Sequence, residues 1–301
     1  MVFGLALVIR ENKNIFNRKY SNNYKDNALF YYLAGLIEGD GHFNVPKGLK
    51  DSLGKSTSAK IEVVFVLKDT PSAEFMQKIF GGNIYRNSNK NNIRWAIQDK
   101  KSITFIVNCI NGKLRTPKIN AFHRLIDFLN EKGDNIIKLP LDNSPINSNA
   151  WLAGFIDSDG SFSIKGFSSE KLRTYLGFQF YLPQRVNDVS GESLGEIMQI
   201  IADFLKTKLR IRAFQGKYSQ YIVNTSSIES NKILIDYLNT YPLLSSKYLD
   251  YKDWEKGLNF YISKLHRDPV YLEKIRVLKL NMNNGRSLFN WSHHKNSIYK
   301  F

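Results

Sequence analysis

Leu33-Ala34-Gly35-Leu36-Ile37-Glu38-Gly39-Asp40-Gly41-His42-Phe43 returns 119 residues later as Leu152-Ala153-Gly154-Phe155-Ile156-Asp157-Ser158-Asp159-Gly160-Ser161-Phe162. Seven of the eleven positions are identical, and Glu38/Asp157 and Leu36/Phe155 keep their character. Self-similarity at a fixed spacing marks a duplicated structural unit. Each copy reads as the end of an apolar helix. Its Ala-Gly pair, Ala34-Gly35 or Ala153-Gly154, lets a second helix backbone approach closely. If the copies pack side by side, their C-terminal ends meet and bring Glu38 and Asp40 towards Asp157 and Asp159. An acid at a helix C-terminus opposes the macrodipole at a cost of ~0.3–1 kcal/mol each, and converging acids repel one another. A sequence that accepts this twice implies a bound cation, and oxygen-only ligands imply Mg²⁺ or another hard divalent ion. Glycines 39, 41 and 160 are expected to let the chain turn sharply and to leave carbonyls free as ligands.

The elements that follow each copy agree in order. After helices at 27–38 and 149–157 come strand pairs at 42–47 with 58–67 and at 161–166 with 172–182, where β-branched and aromatic residues alternate with polar ones. Amphipathic helices are expected at 71–80 and 191–206. Second hairpins follow at 83–87 with 92–98, turning through 87–91, and at 208–214 with 218–224, turning near Gly216. Helices at 100–111, 117–130, 228–239 and 246–262 complete the halves. The chain divides into an N-terminal extension 1–26, a first half 27–132, a linker 133–148 rich in Pro, Asp, Asn and Ser, a second half 149–262, and an appendage 263–301. The appendage holds a helix at 269–281 and a polar, turn-rich tail.

With 43 Lys+Arg against 27 Asp+Glu among 301 residues, the formal charge is +16. The excess is shared, at +9 for residues 1–150 and +7 for 151–301, so each half presents a basic surface suited to a polyanion. Hydrophobic residues make up 43% and exclude a disordered chain. Cys109 is alone and sits in an apolar helical stretch, so no intramolecular disulfide forms. No apolar run approaches the ~20 residues that span a bilayer, and the opening Met1–Ile9 lacks the basic start and cleavage site of a signal peptide. A cation between acids, in a protein built to hold a polyanion, points to phosphodiester hydrolysis. His42, His123, His266, His293 and His294 show no zinc spacing. Ser190–Ser193 and Gly81-Gly82 lack the context of a phosphate-binding loop. Thirty Asn, with abundant Lys, Tyr and Phe, suit an AT-rich genome.

The two motifs resemble those of the LAGLIDADG homing endonucleases, and the two-copy layout is similar to their single-chain branch, over about residues 27–262. The resemblance implies an α+β fold of two pseudo-symmetric αββαββα halves. These form a DNA-binding saddle of antiparallel sheets with the motif helices at the interface. It implies that Asp40 and Asp159 bind catalytic metals, with Mg²⁺ as cofactor and Mn²⁺ or Ca²⁺ as substitutes for binding. Glu38 and Asp157 become supporting residues, and the carbonyls of Gly39 and Ser158 auxiliary ligands. Lys118 and Lys247, each opening a helix, resemble the family's active-site basic residue. Lys68 and Gln184, at the ends of the second strands, match its water-holding polar position.

Alternation along the strands turns Asn44, Lys60, Glu62 and Arg94 outward in the first half. In the second it turns out Lys165, Arg173, Tyr175, Gln179, Arg210 and Arg212, with Leu209 and Ile211 facing in. Such side chains read base edges and hold phosphates. The expected protein is a monomeric, Mg²⁺-dependent, site-specific double-strand endonuclease with a long asymmetric target and 3′ overhangs. Its partner is double-stranded DNA and not a membrane. The alternative is a maturase that binds group I intron RNA; a non-catalytic repressor is disfavoured by the intact acids. Resemblance and composition together point to a fungal mitochondrion.

Overall fold

The computed structural model describes residues 27–86, 90–167, 176–214, 218–295 and 297–299. The extension 1–26, the turn residues 87–89 and Gly216, and the strand segment 172–175 with Arg173 and Tyr175 lie outside them. The first half runs α1 (Ala28–Asp40), β1 (Gly41–Asn44), β2 (Lys60–Val66), α2 (Thr70–Phe80), β3 (Asn83–Arg86), β4 (Asn92–Ile97), α3 (Lys100–Ile110) and α4 (Ile119–Glu131). The second runs α5 (Trp151–Asp159), β5 (Ser161–Lys165), β6 (Gly177–Arg185), α6 (Gly195–Phe204), β7 (Leu209–Phe214), β8 (Tyr218–Thr225), α7 (Ile228–Thr240) and α8 (Lys247–Ile262). Beyond it lie α9 (Pro269–Leu280) and the short α10 (Ser292–Lys295). Among the described residues, the sheets have the orders β1-β2-β4-β3 and β5-β6-β8-β7, with antiparallel neighbours throughout. The fold is thus the expected α+β pair of αββαββα halves. The pairing of β2 with β4, and of β6 with β8, merges each half's two hairpins into one sheet.

α1 and α5 form the seam between the halves. The Asn27 side chain caps α1 by accepting from the Leu29 amide at 2.9 Å. Just before α5, the Asn149 side chain accepts from the Trp151 amide at 3.0 Å. From Leu29 to Ile37, and from Trp151 to Ile156, these helices are buried almost all round, apart from Tyr31, the pattern of a core helix. A Cβ on Gly35 would collide with the Trp151 carbonyl and lie 2.8 Å from the Phe155 amide. A Cβ on Gly154 would collide with the Tyr32 carbonyl and lie 2.8 Å from the Leu36 amide. Backbone therefore meets backbone at both crossings, as the Ala-Gly pairs suggested.

The glycines after the helices act differently from the expectation. Gly41 (φ −89) and Gly160 (φ −73) have ordinary backbone. They are needed because a Cβ would sit 2.6 Å from the Ile37 carbonyl or 2.8 Å from that of Ile156.

Three further expectations change. The helix expected from 191 begins at Gly195, because Asp188 accepts from the Ser190 and Glu192 amides at 2.8 and 3.0 Å and holds a loop instead. The stretch 133–148 is a packed strap. Arg115 donates to Asp142 at 2.6 Å and to Ser144, and the Asp142 amide bonds the Leu114 carbonyl at 2.8 Å. The tail returns to the core: Tyr299 is buried, donates to the Pro242 carbonyl at 2.9 Å and packs its ring 5.0 Å from that of Tyr32. Cys109 is buried as expected, and no helix among the described residues is long and apolar enough to cross a membrane.

Because the contact at Gly35 and Gly154 is backbone on backbone, no side chain can move aside to relieve a larger residue. Gly35→Leu or Gly154→Leu should destabilise the protein by ~1–3 kcal/mol or more through overpacking. Unfolding midpoints in urea at unchanged m-value measure this, and wild-type midpoints in both variants would contradict the seam.

Candidate active site

Asp40 and Asp159 end α1 and α5 where the two helices abut. A Cβ on Gly39 would strike the Ser158 side chain and lie 3.1 Å from Asp159 Oδ2, so the two helix ends share one small space. Burial, and then the nearby Asp159, push the Asp40 carboxyl up from 3.8 to about 6, while Lys247 and Lys118 pull it down. Asp159 Oδ2 accepts from Gln184 Nε2 at 2.8 Å and from Ser158 Oγ at 3.3 Å. The structure therefore brings Asp40, Asp159, Gly39, Ser158 and Gln184 to one place.

The lysines come to the same place facing the backbone. Lys118 Nζ donates to the carbonyls of Ile37 (3.0 Å), Gly39 (3.4 Å) and Gly41 (2.8 Å). Lys247 Nζ donates to those of Ile156 (3.4 Å), Asp157 (2.7 Å) and Ser158 (2.6 Å). Each ammonium has three protons, so each caps the C-terminal end of a motif helix, where positive charge is favoured. Burial pulls both amines below their usual range, and the surrounding acids oppose this: chiefly Glu38 for Lys118 and Asp157 for Lys247. The carbonyls of Gly39 and Ser158, expected to be free, each already accept from a lysine and keep one lone pair each for a cation.

Among the described residues, Lys68 makes no hydrogen bond to Asp40 or Asp159. It lies in the turn Leu67–Asp69 with its amine 5.9 Å over the Phe289 ring. Strand register explains the mismatch. His42 faces Glu62 and Ser161 faces Tyr181, so Gln184 corresponds to Phe65 and Lys68 stands three residues further along. The first half thus has a buried phenyl ring where the second has an amide.

Sequence reasoning missed how Glu38 and Asp157 are used. Both are buried. Glu38 accepts from the Arg115 amide (2.9 Å), the Thr116 amide and hydroxyl (2.6 Å each) and, across the seam, Trp151 Nε1 (2.6 Å). Asp157 accepts from the Leu244 amide (2.6 Å), the Ser245 amide (3.1 Å) and hydroxyl (2.5 Å) and, across the seam, Tyr32 OH (2.5 Å). Burial holds the Glu38 carboxyl above its usual range, and its donors offset only part of that. Two more bonds join the halves, from the Ser246 amide to Asp69 (2.8 Å) and from Ser72 Oγ to the Leu244 carbonyl (3.0 Å). His293 and His294 reach that same carbonyl from the tail. A usable signal was present: Tyr32 and Trp151 stand at the 119-residue spacing, each six positions before its acid.

The outward sheet faces hold most of the candidate readers. Asn44 pairs with Lys60, and Val64 pairs with Arg94, on one face of the first sheet. On that face Glu62 is held by Lys60 at 2.7 Å and Arg94 at 3.3 Å. In the second sheet Lys165 and Gln179 share a face, while Arg210 and Arg212 pair with Ile222 and Gln220. Ile211, expected inward, is 66% exposed on the edge strand β7.

Residues 33–129 and 152–258 each match the LAGLIDADG endonuclease family. The chain is 33% identical over 327 residues to intron-encoded DNA endonuclease aI3 of Saccharomyces cerevisiae, covering 95% of this chain and 77% of that protein. It is 30% identical over 267 residues to a 37.2 kDa cox1 intron-2 protein of Schizosaccharomyces pombe, covering 86% of this chain and 74% of that one. A 175-residue match at 32% identity, over 54% of this chain and 25% of the relative, is to intron-encoded RNA maturase bI4 of S. cerevisiae. Among solved structures, the homing endonuclease I-LtrWI bound to target DNA superposes with a TM-score of 0.68 at 20% identity, over 86% of this chain and 99% of that one. Meganuclease I-SmaMI bound to uncleaveable DNA gives 0.66 at 24%, over 85% and 98%. At these identities the two solved structures establish the shared fold. Two motif copies, one seam and two family matches in a single polypeptide leave one assignment: the chain belongs to the LAGLIDADG endonuclease family, in its single-chain, two-motif form.

Proposed function

We propose that this endonuclease acts as a monomer and hydrolyses both strands of a long, asymmetric DNA target. It does so with Mg²⁺ held at the seam, and leaves 3′ overhangs. The observation that carries the reading is the pair Asp40 and Asp159, placed together where each destabilises the other's charge. The donor chemistry fits a hard divalent ion: two carboxylates, and the remaining lone pairs of the Gly39 and Ser158 carbonyls. Among the described residues no third His, Cys, Asp or Glu joins them, so water and phosphate oxygens would have to supply the other ligands. A bound ion supplies an activated water and offsets charge on the departing oxygen. A solved relative, I-SmaMI, was crystallised on uncleaved DNA with calcium ions present, which supports a divalent site.

The chain's own residues do the rest. Asp40 and Asp159 would hold the ions. Lys118 and Lys247 fix the two helix ends and place positive charge behind the acids. Gln184, bonded to Asp159, orients water on the second side; Lys68 has no such contact and is not assigned that role. Asn44, Lys60, Arg94, Lys165, Gln179, Arg210 and Arg212 contact DNA. Glu62 organises Lys60 and Arg94 until bases compete for them, and Arg173 and Tyr175 are assigned from sequence alone. Intron-encoded relatives, several of them fungal, and the Asn- and Lys-rich composition support a mitochondrial location. The maturase relative supports a second reading, binding of group I intron RNA, which a gel-shift with intron transcripts tests directly.

Asp40→Asn or Asp159→Asn should abolish double-strand cleavage of a library of candidate intron-insertion sites in Mg²⁺, with specific binding retained. Cutting by either variant at comparable concentrations would sink the assignment. Specific binding should weaken by ~10³ or more between 50 and 200 mM salt if six or more phosphates are held. Arg212→Ala should relax preference at one position on one side of the cut, by ~1–3 kcal/mol; a symmetric change would contradict the single-chain reading.

Protons compete with metal at Asp40. Its raised pKa means that the folded, metal-free protein binds a proton that the unfolded chain releases nearer 3.8. This residue's contribution to metal-free stability is therefore lost as pH rises through about 6. Metal affinity should run the opposite way and fall below that pH. Carboxyl ¹³C titration of metal-free protein should give a midpoint near 6 for Asp40, moving down in Asp159→Asn as the like charge is removed. An unmoved midpoint would show that the two carboxylates do not interact.

A further inference from the structure

We propose that Tyr32 and Trp151 are positioning residues that act on the opposite half. Each sets, through the buried first acid of the other half's motif, the seat of that half's active-site lysine. The inference rests on the reading above, in which both strands are cut at the seam, and takes the Asp40–Lys118 and Asp159–Lys247 sites to serve different strands.

A continuous path of bonds carries it. Trp151 Nε1 donates to Glu38 at 2.6 Å. The same carboxylate accepts the Thr116 hydroxyl at 2.6 Å, and that hydroxyl oxygen accepts the Lys118 amide at 3.2 Å. The second half repeats the path. Tyr32 OH donates to Asp157 at 2.5 Å, Asp157 accepts the Ser245 hydroxyl at 2.5 Å, and that oxygen accepts the Lys247 amide at 3.1 Å. Tyr32, Trp151, Glu38, Asp157, Thr116 and Ser245 are all buried, so water cannot replace a lost donor. The lysines open or cap the helices α4 and α8, so the hydroxyl that holds each backbone amide fixes where its ammonium arrives.

The pairing is reciprocal at the repeat spacing of 119 residues, yet the two donors differ chemically, a phenol and an indole. What the two copies share is the donated proton and not the ring. Packing alone would select ring shape; two unlike rings that each place one proton on the corresponding acid of the opposite half indicate that the bond is the shared feature. A carboxylate that loses one charge-assisted donor in a buried bay re-aims towards those that remain, which draws the Arg115–Thr116 or Leu244–Ser245 turn and shifts the lysine behind it.

The test is strand-resolved, single-turnover cleavage of the intron-insertion target in Mg²⁺, with each strand labelled separately. Lys118→Met and Lys247→Met identify which strand each half-site serves. Tyr32→Phe should slow the Lys247 strand about tenfold relative to the other, and Trp151→Phe the Lys118 strand by a similar ratio. Amide hydrogen exchange gives a readout independent of cleavage. Tyr32→Phe should deprotect Leu244, Ser245 and Lys247 while Arg115, Thr116 and Lys118 keep their protection, and Trp151→Phe should do the reverse. Equal slowing of both strands, equal deprotection of both turns, or no change in either measurement would overturn the proposal, because a merely structural bond loosens both halves together. If Trp151→Phe does not fold, Tyr32→Phe decides alone. If the wild-type chain cuts no DNA, the failure belongs to the endonuclease reading, and the exchange pattern still decides the positioning role.

Discussion

Backbone contact between α1 and α5 at Gly35 and Gly154 is the constraint from which the rest of the molecule follows. Two helices that touch without intervening side chains bring their C-terminal ends into one space, and with them the carboxylates of Asp40 and Asp159. That placement is electrostatically unfavourable twice over, from the helix dipoles and from the acids' mutual repulsion. Lys118 and Lys247 offset part of it by donating to the helix-end carbonyls from behind. The unfavourable remainder is the basis for the cation proposed at the seam.

The two acids of each motif divide the work by helical geometry. Residues two apart on an α-helix point about 200° apart, so Glu38 and Asp157 turn into the protein while Asp40 and Asp159 turn towards the open end of the seam. The inward pair is buried and fully donated to; the outward pair is left with acceptor capacity for a ligand. One short motif thus supplies both the anchor of the turns before Lys118 and Lys247 and the two acids at the helix ends.

The halves are related but unequal. Gln184 bonds Asp159, whereas the corresponding first-half position is Phe65. The turn before Lys247 is tied to the first half by Tyr32, Ser72 and Asp69, and to the tail by His293 and His294. The turn before Lys118 is tied by Trp151 and, through Arg115, by the strap at Asp142 and Ser144. Connections between the halves therefore run through the turns that precede Lys118 and Lys247.

The sequence alone determined the duplication, the order of elements, the seam and the acids that meet there. Each of these is written in local periodicity or in a repeated string, and local patterns survive without knowledge of the fold. Only the tertiary structure decided the partners of Glu38 and Asp157, the inward pose of the lysines, the register that separates Lys68 from Gln184, and the packing of the strap and tail. Tyr32 meets Asp157 across 125 residues, and Trp151 meets Glu38 across 113. Such bonds depend on the relative placement of whole halves, which no window of neighbouring residues encodes. A strand's register, likewise, is set by the partner strand's pleat, so a polar residue counted from a strand's end can miss its counterpart by three positions.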